Sequence, residues 1–440
     1  MPSTLLAKDL ALARRSYYAA TAARDAPFPA LTGDTRCDVA VVGGGLAGLS
    51  AAIDLRRRGF DVLLLEAREV GSGASGRNGG QAIHGLGCDQ ETIERQLGLD
   101  AARQVWSMSV EALDLLRERI REHGIECEWR DGFLGLATSA RKGRALHAWA
   151  ERIETVYGYP LRRIGPTEMG RWIASPRYHS GIHDPRSGHM HPLKYTLGLA
   201  RAAAAAGVRI HEQTPLLALA PGATPVLRTA GGEVRAQQVL LAGNVYLQGI
   251  APWIEARIMP VGTYIACSEV LGPELADSLI PTRSAACDTN FVLDYFRTTE
   301  DLRLLYGGRV SYSTITPADM AQSMRRRMVR TFPQLAAAAV EYAWGGFVDI
   351  SMNRAPDFGR LPAAAGGAAS NVYYLQGFSG HGLALAGLAG RLVAEAVAGD
   401  ASRFDVFARL KHRPFPGGRW LRMPTLVLGM AWYRLRDMLA

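Results

Sequence analysis

An α/β fold is predicted for this 440-residue chain by three features: a strand, glycine turn, helix and strand near its start, a second strand, glycine turn and helix near its end, and a strand-rich stretch between them. Together they describe a Rossmann-like nucleotide-binding domain built from early, middle and late segments and interleaved with a mixed α+β domain. The first unit, DVAVVGGGLAGLSAAIDLRRRGFDVLLLEA from Asp38 to Ala67, carries every part in order. Val39–Val42 reads as an apolar strand, a helix runs to Arg58 and is ended by Gly59, and Val62–Leu65 is a second strand that delivers Glu66. Gly43 permits the tight turn, Gly45 lets backbone approach a pyrophosphate, and Gly48 lets helix and strand pack closely. The helix N-terminus then faces phosphates with its free N–H groups. Glu66 stands at the spacing from which a carboxylate takes hydrogen bonds from the ribose hydroxyls of adenosine.

The remaining elements follow by periodicity and turn chemistry. From Asp100 to His123, Ala102, Val105, Ala112, Leu116 and Ile120 recur at helical spacings. Arg130–Ser139 reads as a turn at Asp131-Gly132 and an apolar strand, and Arg141–Val156 as a helix. Pro192–Ala206 is helical and stopped by Gly207, after which Val208–Glu212 is a strand. Leu216–Ala220 and Val226–Thr229 alternate as a hairpin, and Val239–Ala242 stays apolar, as suits a strand buried on both faces. From Met259 to Trp344 the chain turns to strands (Thr263–Ser268, Phe291–Arg297, Leu302–Tyr306) interrupted by one helix with Thr316 as N-cap and Pro317 at its first position. Asn371–Leu375, the turn GFSGHG and the helix Leu383–Ala398 close the pattern, and Ala363–Ala369 reads as a surface loop. The expected organisation is an N-terminal arm (1–33), a nucleotide-binding domain (34–124, 190–258 and 346–400), a substrate domain (125–189 and 259–345) and a C-terminal extension (401–440).

Composition narrows the class. Hydrophobic content of 48% with 21% charged residues is that of a soluble globular protein. The net charge of +9 is mostly arginine, and clusters such as Arg56–Arg58 and Arg325–Arg327 lie on helical stretches without interleaved aromatics, which favours solvated faces over nucleic-acid binding. Five scattered cysteines form no C-x-x-C pair, which argues against a zinc site and a disulfide framework. His189 and His191 have no evident third ligand, so no metal is expected. The first twenty residues lack the uninterrupted apolar core of a signal peptide and no apolar run spans a bilayer, so a cytoplasmic location is expected. Pro424–Tyr433, flanked by arginines, suits either a helix docked on its own domain or a peripheral membrane contact. Oligomeric state is left open.

The motifs SYYAA (Ser16–Ala20), GASGRNGGQ (Gly73–Gln81), SGHMHPL (Ser187–Leu193), LDYFR (Leu293–Arg297), LLYGG (Leu304–Gly308), GFSGHG (Gly377–Gly382) and HRPFPGGRWLR (His412–Arg422) resemble those of the FAD-dependent amine and amino-acid oxidoreductases of the D-amino-acid oxidase (DAO) type. The resemblance runs nearly end to end and implies the glutathione reductase/DAO-like arrangement of an FAD-binding and a substrate domain. It implies Gly43, Gly45, Leu46, Ala47 and Gly48 around the FAD pyrophosphate and Glu66, with Ala67 and Arg68, at the ribose. Ser75, Arg77, Asn78, Gly79 and Gly80 would pass under the isoalloxazine between Gly73, Ala74 and Gln81. Leu216 would meet the adenine through its backbone, and Ala242 and Gly243 would border the cofactor. Gly377, Phe378, Ser379, Gly380, His381, Gly382 and Leu383 would bring a helix N-terminus to the flavin N1 and C2 carbonyl, where its dipole favours the reduced form. FAD is expected to be noncovalent, because no cysteine after Cys287 could form the C-terminal thioether of sarcosine oxidase-like members.

The implied chemistry is oxidation of an amine such as γ-glutamylputrescine or a related polyamine derivative. A hydride passes to flavin N5, the imine hydrolyses to an aldehyde, and oxygen is the expected acceptor with hydrogen peroxide as product. The alternatives are an amino- or imino-acid dehydrogenase that passes electrons to a quinone and a flavin-binding protein without turnover. The arginine that clamps an α-carboxylate in amino-acid members, just after W-x-G, is missing: Trp344-Gly345-Gly346 leads to Phe347, Val348 and Asp349. Asp349 is read as facing a cation or the surface. Arg309 and Arg354 are candidates for a distant substrate carboxylate or for structural ion pairs. Tyr295, Phe296, Tyr306 and Trp344 could form an aromatic pocket or belong to the core. His381 either holds positive charge near reduced flavin or bonds the backbone. The catalytic candidates are thus His381, Tyr295 and Arg309.

Overall fold

The computed structural model describes residues 4–13, 16–290, 292–311, 319–362 and 370–416. Two sheets organise them. In the first, the strands run Asp357–Arg360, Val372–Gln376, Glu233–Leu241, Thr35–Val42, Val62–Leu65 and Arg209–His211 across the sheet. All neighbours are parallel except the edge strand Asp357–Arg360. The hairpin Ala218–Ala220 and Val226–Arg228 hangs from Glu233–Leu241. The inner strands carry unbroken apolar runs because both faces are covered: Val62, Leu63, Leu64 and Leu65 are all buried. Helix Leu46–Arg57 packs on Gly382–Val397, which packs in turn on the long helix Leu99–Glu122. Gly390 makes the first contact close, since a Cβ there would stand 2.6 Å from the Ala47 carbonyl oxygen and the Ala51 nitrogen.

The second sheet has nine strands. Its order is Val340–Ser351, Ile258–Ser268, Leu304–Ser311, Tyr295–Thr298, Ala285–Asp288, Arg130–Ala137, Ser180–His189 and Gln81–Ala82, with Arg162–Ile164 also paired to Ser180–His189. Only Ala285–Asp288 and Arg130–Ala137 are parallel. Its strands bury a core of their own around Tyr264, Phe296, Tyr306 and Phe347. Gln81–Ala82, from the segment read as nucleotide-binding, joins this sheet, and Val340–Ser351 runs across the 345/346 boundary. Among the described residues no single helix is long and apolar enough to cross a membrane.

Several local expectations are corrected. Asp131-Gly132 is not a turn but an irregularity inside the strand, with Gly132 at φ +105°. The helix expected from Pro317 is Met320–Thr331, capped by Asp319, whose carboxylate accepts from the Gln322 amide, and Thr316 and Pro317 lie outside the described residues. Ala363–Ala369, Phe291 and the tail Pro424–Tyr433 also lie outside them. The basic clusters are not simply solvated: Arg56 donates to the Ala206 and Phe60 carbonyls, and Arg327 donates to the buried Asp294. His189 bonds the Arg283 carbonyl, and His191 caps the helix Pro192–Ala205 by accepting from the Lys194 amide.

Candidate active site

A cavity of about 1090 Å³ runs between the two sheets, just above the ~300–1,000 Å³ usual for small-molecule sites. One end is built by the first strand–turn–helix unit. Gly43 sits at φ +115°, with its Cα so close to the neighbouring strand that a Cβ would lie 2.6 Å from the Ala242 carbonyl oxygen. A Cβ on Gly48 would collide with the Gly43 carbonyl oxygen, so the turn and the first helical turn are mutually locked. The Glu66 carboxylate accepts from the Gly44 amide at 2.7 Å and the Arg68 amide at 2.9 Å. Burial raises its pKa, opposed by those two amides. Each oxygen keeps a lone pair that a diol could address.

The loop Gly73–Gln81 forms the next wall and is held from several sides. Ser75 Oγ accepts from the Leu46 amide at 3.0 Å, tying the loop to the helix N-terminus. The Asn78 side chain donates to the Ala74 and Ser75 carbonyls and accepts from the Gly80 amide. Arg77 is buried and turned away from solvent: it pairs with Asp9 of the N-terminal helix Thr4–Ala13 at 2.5 Å, and the Trp344 indole donates to its carbonyl. That places the N-terminal helix on the site, with Leu6 and Asp9 on the cavity wall. Sequence reasoning had no signal for this contact, because a lone aspartate in an apolar helix carries no motif.

The other end is built by GFSGHG and the second sheet. Gly377 is left-handed at φ +73°, and its amide donates to Asp349 Oδ2 at 2.5 Å. The Ser379 amide donates to the Asp349 carbonyl, and the Ser351 amide to Ser379 Oγ. Asp349 is therefore not at the surface: it is 2% exposed, borders the cavity and hooks the loop to the second sheet. Burial pushes its carboxyl up to about 7, against the pull of the Gly377 and Phe378 amides and the Asn244 side chain. His381 donates from Nε2 to the His84 carbonyl at 2.8 Å, and burial pulls it down to about 4. With no anion acting on it among the described residues the ring is neutral at pH 7, and it makes the backbone bond that was one of the two roles expected for it.

Of the four aromatics, only Tyr295 reaches the cavity. Phe296, Tyr306 and Trp344 are fully buried in the cores. Tyr295 stands in a slot between Gly79 and Gly307, where a Cβ at either glycine would strike its ring. Cys287, Asp288, Asn290 and Arg354 share this wall. Burial and then Asp294 raise Asp288 to about 6, while the Asn290 and Asp294 amides hold it in place.

The structure thus gathers Gly43, Gly45, Leu46, Ala47, Glu66, Ala67, Gly73, Ala74, Ser75, Arg77, Asn78, Gly79, Gln81, Leu216, Ala242, Gly243, Phe378, Ser379, Gly380, His381, Gly382, Leu383 and Tyr295 around one cavity. Gly48, Gly80 and Gly377 stand behind the wall and shape its turns, and Arg68 faces Asp9 at 3.8 Å rather than the cavity. The side chain of Arg309 lies outside the described residues; its backbone is in Leu304–Ser311. The residues that sequence reasoning missed, Gly44, Asn244, Tyr246 and Asp288, lie within or just after strand ends, where only the glycine of GGGLAG offered a signal.

A model of the "FAD dependent oxidoreductase" family, DAO, matches residues 38–396. The chain is 43% identical to γ-glutamylputrescine oxidoreductase of Escherichia coli (strain K12), over 96% of this chain and 98% of that protein. It is 38% identical to a probable oxidoreductase, OrdL, of Haemophilus influenzae, over 96% and 97% of the two chains. Among solved structures, glycine oxidase from Geobacillus kaustophilus superposes with a TM-score of 0.68 at 20% identity, covering 86% of this chain and 99% of that one. The glycine cradle, the diol-ready carboxylate and a cavity long enough to join both sheets fit FAD, and the chain belongs to the DAO family of FAD-dependent oxidoreductases.

Proposed function

We propose that the protein oxidises the primary amine of γ-glutamylputrescine or a closely similar polyamine derivative, with oxygen as electron acceptor. The observation that carries this reading is the 43% identity to γ-glutamylputrescine oxidoreductase over nearly the whole of both chains. FAD, held without a covalent bond, supplies the acceptor for the hydride that leaves the carbon next to nitrogen. Gly43 to Ala47 would hold its pyrophosphate, Glu66 its adenosine ribose, and Gly73–Gln81 and Phe378–Leu383 its ring system.

The remaining steps belong to the protein. An amine of lysine-like basicity is on the order of one part in a thousand neutral at pH 7, and only the neutral form has the lone pair that drives oxidation. Tyr295, Ile83, Leu293 and Phe378 belong to the apolar part of the cavity lining and would favour that form. The phenol of Tyr295, clamped by Gly79 and Gly307, orients the amine by a hydrogen bond and excludes water from it. An α-carboxylate finds no arginine where amino-acid oxidising members carry theirs: Phe347 is packed in the core and Asp349 holds the loop.

The test is a panel of putrescine, γ-glutamylputrescine, sarcosine, glycine and D-amino acids against the purified flavoprotein, scored anaerobically by flavin bleaching and in air by peroxide release. γ-Glutamylputrescine should bleach the flavin fastest and yield peroxide. Bleaching by free amino acids alone overturns the amine reading, and bleaching without peroxide overturns the choice of oxygen.

A further inference from the structure

Arg354 lies on the cavity wall in the turn just beyond the strand Val340–Ser351. Its backbone is left-handed, φ +59°, a conformation uncommon outside glycine and asparagine and retained where the surroundings force it. They do so here: the Arg354 amide donates to the Ser351 carbonyl, and the Asn353 side chain donates to the Lys411 carbonyl and accepts from the Ala355 amide. The turn is rigid, and it aims the side chain. Most buried arginines of the chain have partners, as Arg77 has Asp9 and Arg119 has Asp54. Arg354 has no ion pair among the described residues, and its Nε is buried with no hydrogen-bond partner. Its charge is felt instead by Cys88, Cys287 and His381, none of which is anionic at neutral pH. Burial pushes the Cys88 thiol up to about 12, and the Cys287 thiol upward as well.

A guanidinium held partly out of water without a counter-charge is unfavourable unless a ligand supplies one. We infer that Arg354 is the receptor for a carboxylate carried by the substrate at the end remote from the reacting amine. The geometry suits that class of substrate and not an α-amino acid. In an α-amino acid the carboxylate is attached to the carbon that is oxidised, and the strand positions after Trp344 that would meet it hold Phe347, Val348 and Asp349. The only unpartnered guanidinium found on this wall among the described residues stands beyond the strand, in the following turn. A planar fork of donors there selects a carboxylate separated from the amine by a spacer.

This rests on the amine oxidase reading, and the experiment keeps the two apart. The holoenzyme and its Arg354→Met and Arg354→Lys variants are compared on γ-glutamylputrescine and on N-acetylputrescine, which has the amine but no carboxylate. Loss of a charge-assisted pair should lower the ratio of kcat/KM for the two substrates by roughly 10- to 100-fold in Arg354→Met, through KM, with partial recovery in Arg354→Lys. In parallel, oxidised holoenzyme is titrated with glutarate, a carboxylate with no amine, and the flavin absorption spectrum is followed. The wild type should show a saturable shift that Arg354→Met loses. An equal loss on both substrates, or a changed flavin reduction potential with an unchanged substrate ratio, assigns Arg354 to the cofactor or to folding and overturns the inference. If no amine bleaches wild-type flavin, the amine reading fails, and the glutarate titration still decides whether an anion site exists.

Discussion

Replacing Asp349 with Asn should make the protein more stable at pH 8 than at pH 5, relative to wild type. Asparagine keeps an acceptor for the Gly377 amide and removes the titration. In the folded protein, burial raises the Asp349 carboxyl from 3.8 to about 7. The folded state therefore holds this proton over a range where the unfolded chain has released it. The sign follows from linkage: stability is lost as pH climbs from the unfolded value, near 4, to the folded value, near 7, and is level above that. At ~1.4 kcal/mol per tenfold, the charge costs the fold on the order of 4 kcal/mol at pH 8, and almost nothing at pH 4. Other groups titrate in both proteins and cancel in the difference. Denaturant unfolding of the two proteins at pH 5 and pH 8 reads it directly. The gap Asn minus Asp should widen in favour of Asn by about 1 to 3 kcal/mol between those pH values, the lower figure allowing for water reaching the opened site. A gap that stays constant with pH, or narrows, refutes the assignment of a strained, buried carboxyl.

Further outcomes follow from the same geometry. Gly48→Ala forces the first helical turn off the Gly43 carbonyl oxygen and should give protein that purifies with little flavin; full flavin occupancy contradicts the cradle. Glu66→Ala leaves the Gly44 amide without its acceptor and removes the carboxylate proposed for the ribose, so the FAD dissociation constant, measured by fluorescence recovery, should rise by roughly 10- to 100-fold. Arg119→Met leaves Asp54 in the helix layer with Arg391 at 3.6 Å as its remaining cation and should lower stability by about 1 to 3 kcal/mol in urea without altering the substrate order. His381→Gln keeps a donor for the His84 carbonyl and, because the native ring is uncharged at pH 7, should leave flavin reoxidation by oxygen near the wild-type rate; a large drop would mean the ring is protonated in the reduced enzyme.

The elements legible in the sequence were those whose pattern is set by burial on both faces or by glycine geometry. Val62–Leu65 matches its expected limits, and Leu46–Arg57, Leu99–Glu122 and Gly382–Val397 fall within a residue or so of theirs. Ser180–His189 was not legible, because SGIHDPRSGH has neither alternation nor β-branched density; it is a strand because neighbours on both sides supply its hydrogen bonds. The same division holds for the site. GGGLAG and GFSGHG announce themselves through what glycine alone permits, whereas Asp349 and Asp9 act through partners tens of residues away. A carboxylate that accepts from a distant amide leaves no local trace. Tyr295 was separable from Phe296 and Tyr306 only once Gly79 and Gly307 were seen to flank it.

The central strand Thr35–Val42 is synthesised long before its neighbour Glu233–Leu241, which lies about 200 positions later, and that strand's next neighbour comes later still. Until Glu233–Leu241 has been made, the nascent chain thus carries an apolar ribbon with one bare edge, able to template pairing with any other extended segment. Maturation must wait for Asp357–Arg360 and Val372–Gln376 before the sheet can close, and coenzyme capture must come after that. Slow release at high temperature or strong induction should therefore send this polypeptide to inclusion bodies, and a supply of riboflavin cannot prevent it.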